Sequence, residues 1–106
     1  MAKTINLTYE GTAYTLEFTR KTIQTMEKNG FLISEITEKP MSTLPVLFAG
    51  AFLAHHRNVK SETIDDIFAA LSDKEGFIEK LAEMYSEPIE ALMDDFEGNL
   101  TWEANW

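Results

Sequence analysis

Two neighbouring histidines, His55 and His56, two aspartate pairs, Asp65-Asp66 and Asp94-Asp95, and a file of spaced carboxylates are the side chains of this sequence that could do chemistry. A metal needs ligands that converge. Adjacent helical residues point about 100° apart, no His-x-x-x-His spacing is present, and there is no cysteine. No metal site and no cofactor are expected, and thiolate chemistry is excluded. The histidines read as residues at the end of a helix, where a cation complements the dipole. General acid–base catalysis needs carboxyl groups held in unlike surroundings within a cleft. Both aspartate pairs lie on charge-rich helical stretches, and Asp65-Asp66 also fall soon after Ser61, in early helical turns that favour anions. The five glycines are scattered, so no phosphate-cradling loop is formed. No nucleophile elbow or zinc-protease helix is present either. No catalytic residue is assigned, and the chain is not expected to be an enzyme.

The file of carboxylates is the strongest pattern. On one helix Glu75, Glu79, Glu83, Glu87, Glu90, Asp94 and Glu97 fall within an arc of about 120°. Phe77, Ile78, Leu81, Met84, Tyr85, Ile89, Leu92 and Phe96 fall in the opposite arc. One strip is wet and negative, and the other must be buried. Such a surface points to a protein that works by contact. A straight helix cannot wrap a divalent ion in six oxygens.

Charge sharpens this. Residues 1–60 hold seven basic and five acidic side chains, a balance of +2. Residues 61–106 hold two and thirteen, a balance of −11, which together make the −9 of the 106-residue chain. An acidic half repels phosphates and anionic lipid surfaces, so neither nucleic acid nor membrane is an expected partner. Basic protein surfaces are, and so are the mildly basic N-terminal halves of other copies. The opening Met1-Ala2-Lys3-Thr4 leads into no apolar signal segment. The longest apolar run, Leu44 to Ala54, contains Pro45 and Gly50 and is too short to span a bilayer. A soluble, cytoplasmic protein is expected.

The elements follow from periodicity and punctuation. Ile5, Leu7 and Tyr9, then Tyr14, Leu16 and Phe18, alternate with polar neighbours around Glu10-Gly11-Thr12, predicting a β-hairpin. Thr19 can cap a helix over about 20–29, stopped by Asn29-Gly30. The short apolar segment Phe31 to Ile36 has no predicted type. Ser42 or Thr43 can cap a helix running to about His56, with Pro45 in its first turn. This helix is apolar almost all round, which calls for cover on every side. Gly50 between Ala49 and Ala51 would admit another backbone. Ser61 can cap a helix through Leu71. Ser72-x-x-Glu75 has the form of a capping box and opens the acidic helix, with a kink or break expected near Tyr85–Glu87 because of Pro88 and an end near Gly98. The fold class expected is α+β, mainly α: an N-terminal β-hairpin packed on a bundle of four to five helices, one domain over 1–98, then an aromatic tail over 99–106.

With so much apolar helix in a small domain, self-association through residues 43–56 is expected. The candidate protein contacts are Leu47, Phe48, Ala51 and Phe52 on that helix, together with Trp102 and Trp106 in the tail, since aromatics are enriched at contact hot spots.

The order of elements resembles a known family. It runs from Tyr14-Thr15-Leu16-Glu17-Phe18-Thr19-Arg20, through a helix closing at Asn29-Gly30-Phe31 and the apolar stretch from Leu44 to Phe52, to Ile64-Asp65-Asp66-Ile67-Phe68 and Leu81-Ala82-Glu83-Met84-Tyr85. From about Thr4 to Gly98 the chain is similar to the small tail assembly chaperones of long-tailed phages and prophages. The resemblance implies a non-enzymatic, oligomeric protein of the host-cell cytoplasm that binds the tape measure protein and keeps it soluble during tail assembly. It implies no active-site residues. The alternative is an acidic DNA mimic or another protein-binding inhibitor, and a small enzyme would require a pocket with a strongly shifted carboxylate or histidine.

Overall fold

The chain begins with two strands whose register is set by a two-residue turn. The computed structural model describes residues 3–93 and 100–106. Strand β1 (Ile5–Tyr9) pairs antiparallel with β2 (Thr12–Leu16), Ile5 opposite Leu16 and Leu7 opposite Tyr14. Glu10 and Gly11 both take positive φ, 49° and 82°, as the tight turn that matches strand twist requires. One face of the hairpin packs inward through Leu16, which is fully buried.

Helix α1 (Arg20–Lys28) starts at a full capping box: Thr22 N–H donates to Thr19 Oγ1 at 3.1 Å, and Thr19 N–H donates to Thr22 Oγ1 at 2.9 Å. Gly30, at φ 91°, turns the chain after Asn29. A 3-10 turn over Ile33–Ile36 follows, then α2 (Pro40–Gly50), α3 (Ser61–Ala70) and α4 (Lys74–Met93). The architecture is therefore α+β and mainly helical, a two-stranded hairpin followed by four helices.

Four helix boundaries differ from the sequence reading. Helix α2 starts at Pro40, with Lys39 as N-cap and no side-chain cap bond. Proline fits the first helical position because its missing N–H is needed by no partner there, and Pro40 occupies that place rather than Pro45. Helix α2 also ends at Gly50, short of the histidines. Tighter bonds continue the winding, Phe52 N–H to Ala49 O and Leu53 N–H to Gly50 O at 3.1 and 3.2 Å. Helix α3 has Lys60 as its N-cap, so Ser61 is helical and makes no cap bond. At the start of α4 the cap is Asp73, whose Oδ1 accepts from Gly76 N–H at 3.3 Å, in place of the Ser72 box. Pro88 lies inside α4, which runs through it as one element.

These caps give a direct test. Thr19→Ala should lower unfolding stability by about 1 kcal/mol. Ser61→Ala, at an exposed site without a cap bond, should change it by less than about 0.5 kcal/mol. Urea unfolding followed by circular dichroism compares the two.

The core lies where the hairpin, α1, α2, α3 and the first half of α4 meet. Phe48 on α2 is edge-on to Phe52, Phe68 and Phe77, with ring centroids 5.2, 5.2 and 5.6 Å away. A second aromatic joint sets Tyr85 of α4 between Phe18 and Phe31, at 5.1 and 5.6 Å. No described helix is long and apolar enough to cross a membrane.

Candidate protein-contact surface

Helix α4 carries both strips seen in the sequence, but its surroundings change along its length. Glu75, Glu79, Glu83 and Glu90 are exposed, and Glu87 accepts a hydrogen bond from the Lys3 backbone N–H at 3.0 Å. Asp94 and Glu97 lie outside the described residues, as does the pair Asp94-Asp95. Glu79, Glu83, Ser86 and Glu90 line an open trough with Lys3 and Lys80. Lys80 pairs with Glu83 at 3.4 Å in solvent, where such a pair adds little. Glu79, Glu83 and Glu90 all stand exposed along this trough.

On the other side of α4, Leu81, Met84 and Tyr85 are buried, but the stripe is not covered to its end. Ile89 is 40% exposed, Leu92 56% and Met93 79%. Residues 86–93 extend about 12 Å at helical rise beyond the last buried side chain of α4. Burial of the whole apolar arc was expected. Periodicity orients a helix but does not say how far the body reaches along it.

The helix contacts named from sequence are also corrected. Leu47, Phe48, Ala51 and Phe52 are each at most 1% exposed and belong to the chain's own core. The uncovered side of α2 is a different one. Val46, Ala49, Gly50 and Leu53, with Thr25, Met26, Asn29 and Phe31, line an apolar groove of about 180 Å³ between α1 and α2. Gly50 admits the Met26 side chain rather than a backbone: a Cβ there would lie 2.5 Å from Met26 Sδ. Trp102 and Trp106 stand exposed, in a segment without regular structure.

The histidines anchor the hairpin rather than a helix end. Thr15 N–H donates to His56 Nε2 at 3.0 Å, and the His56 ring meets Tyr14 edge-on at 5.2 Å. His55 Nε2 is 2.7 Å from Glu17 Oε1. The two rings thus serve separate partners. Losing the His56 acceptor leaves a half-buried N–H unmatched, so His56→Ala should cost about 1–3 kcal/mol. His55→Ala, which removes an exposed contact, should cost about 0–1 kcal/mol. Thermal unfolding of both variants checks the order. Asp65 and Asp66 are exposed on α3. Among the described residues, no cluster of three or more His, Asp or Glu could hold a metal ion.

Over its whole length, residues 1–106, the chain matches the family described as Domain of unknown function (DUF5055). It belongs to the DUF5055 family. No curated protein matches it, and no solved structure does. The surface of this DUF5055 chain therefore has to be read from its own residues. Two parts of that surface escaped the sequence reading, the groove and the bare end of α4. For the groove the sequence holds a partial signal: Val46, Ala49-Gly50 and Leu53 recur at helical spacing, but so do Leu47, Phe48, Ala51 and Phe52 on the other face.

Proposed function

We propose that this DUF5055 chain is a non-enzymatic protein-binding module and acts as a phage or prophage tail assembly chaperone. It binds the tape measure protein, keeps it soluble in the host-cell cytoplasm while the tail is built, and works as a homo-oligomer. One observation carries the reading: the second half of α4 presents Ile89, Leu92 and Met93 to water. A chaperone for a long, aggregation-prone protein needs an apolar contact on a body that stays dissolved. Exposed apolar groups that cluster mark interaction sites more than isolated ones do. The carboxylates on the same helix supply charge that keeps the module in solution. The order of elements resembles that of the tail assembly chaperones and agrees with this role.

The test is co-expression with the tape measure protein from the same genome. The tape measure protein should be recovered soluble and bound to the wild-type chain, and should aggregate with the Leu92→Glu variant. Equal solubility with and without the chain overturns the reading. Salt separates it from DNA mimicry. Binding to basic proteins that is lost steeply as salt rises, and that ignores Leu92→Glu, belongs to a mimic.

A further inference from the structure

We propose that two copies of this chain dock head to tail, with an indole of the segment 100–106 of one copy seated in the α1–α2 groove of the next. The groove, about 180 Å³ and lined by Met26, Phe31, Val46, Ala49 and Leu53, is of a size for one aromatic ring, since an apolar cavity of about 150 Å³ takes up benzene. Trp102 and Trp106 are both exposed in the same molecule whose groove stands open. Tryptophan is the residue type most suited to anchor such a contact.

Charge selects a second copy as the occupant. The segment 100–106 carries Glu103 and no basic side chain, and it closes an acidic half, residues 61–106, whose balance is −11. Helix α1 carries Arg20, Lys21 and Lys28 against Glu27, a balance of +2. Lys21 and Lys28 flank Thr25, which is itself on the groove wall. The acidic tail therefore meets the basic rim as the ring enters the groove. Tail and groove are different patches, so the contact is heterologous, and each added copy offers a fresh tail and a fresh groove. The buried area is small, which makes the association weak and concentration-dependent. These surfaces account for the self-association proposed above. They are tested without tape measure protein, so either reading can fail alone.

Sedimentation velocity at low salt over a rising concentration series is the measurement. Wild type should grow beyond a dimer, and added salt should reverse the growth. The double variant Trp102→Ala/Trp106→Ala should stay monomeric, and so should Val46→Glu, which puts a carboxylate on the groove wall. An equimolar mixture of these two variants should form a dimer and stop there, because it holds one working tail and one working groove per pair. Lys21→Glu/Lys28→Glu, which leaves the groove and core intact, should reduce association in the same series. A wild type that stays monomeric overturns the proposal. So does a mixture that stays monomeric, the result expected if each tail occupied its own groove. Growth that persists in either variant alone assigns the contact to another surface and overturns it too.

Discussion

Phe48→Ala should destabilise the chain by about 3–5 kcal/mol, the usual loss for a large aromatic cut out of a core. The ring is 1% exposed and touches Phe52, Phe68 and Phe77. It thus ties α2 to α3, to α4 and to the turn that follows α2. Removing it takes away the buried surface of one ring and three edge-to-face contacts, and these neighbours lie on separate elements that cannot all close on the void. Domains of this size have only about 5–15 kcal/mol in hand. At about 4–8 °C per kcal/mol for a small domain, the melting temperature should fall on the order of 12–40 °C. Val46→Ser, two residues earlier on the open face of the same helix, is the control and should cost far less. Guanidinium unfolding followed by circular dichroism measures both. A Phe48→Ala variant as stable as Val46→Ser would show that the aromatic joint does not hold the helices together.

That contrast shows where the sequence was readable. The hairpin was legible because alternation and a glycine turn agree, and α1 because Thr19 and Asn29-Gly30 mark both ends. Each is a local signal that the fold leaves in force. Helix α2 was legible as a buried helix but not in its facing. An element apolar on every side gives no phase, so for Phe52 a contact role stood nearly level with a place in the core. Only the placement of the hairpin and α3 decides between them. The proline rule misled at the start of α2, where Pro40 competed with Pro45 for the first helical turn. At Pro88 the chain makes no break, since α4 runs through it as one element. The exposed end of α4 was hidden because a stripe shows which side is greasy, not where its cover ends.

Tyr85 is the second joint, and it separates packing from ionisation. Its ring lies between Phe18 and Phe31 and ties α4 to the hairpin exit and to the segment after α1. Tyr85→Ala should therefore cost about 3–5 kcal/mol, while Tyr85→Phe keeps the ring and should change neutral-pH stability by less than about 1 kcal/mol. The phenol distinguishes the two further. Burial, and then the Glu27 carboxylate, raise its pKa above the ordinary 10.0. Below that value the phenol is protonated in both folded and unfolded chains, and its contribution does not vary with pH. As pH climbs past 10, the unfolded chain gives up the proton first, so unfolding is favoured until the folded phenol also ionises. Tyr9, raised by burial and then by Glu10, adds an alkaline loss of its own. Tyr85→Phe should accordingly match wild type at pH 7 and melt above it at pH 10.5–11, with part of the alkaline slope remaining from Tyr9. Melting curves at the two pH values, with tyrosinate absorbance recorded alongside, measure this. If Tyr85→Phe loses stability as steeply as wild type in alkali, the phenol is not held in its neutral form by the fold, and α4 does not pack at Tyr85 as described.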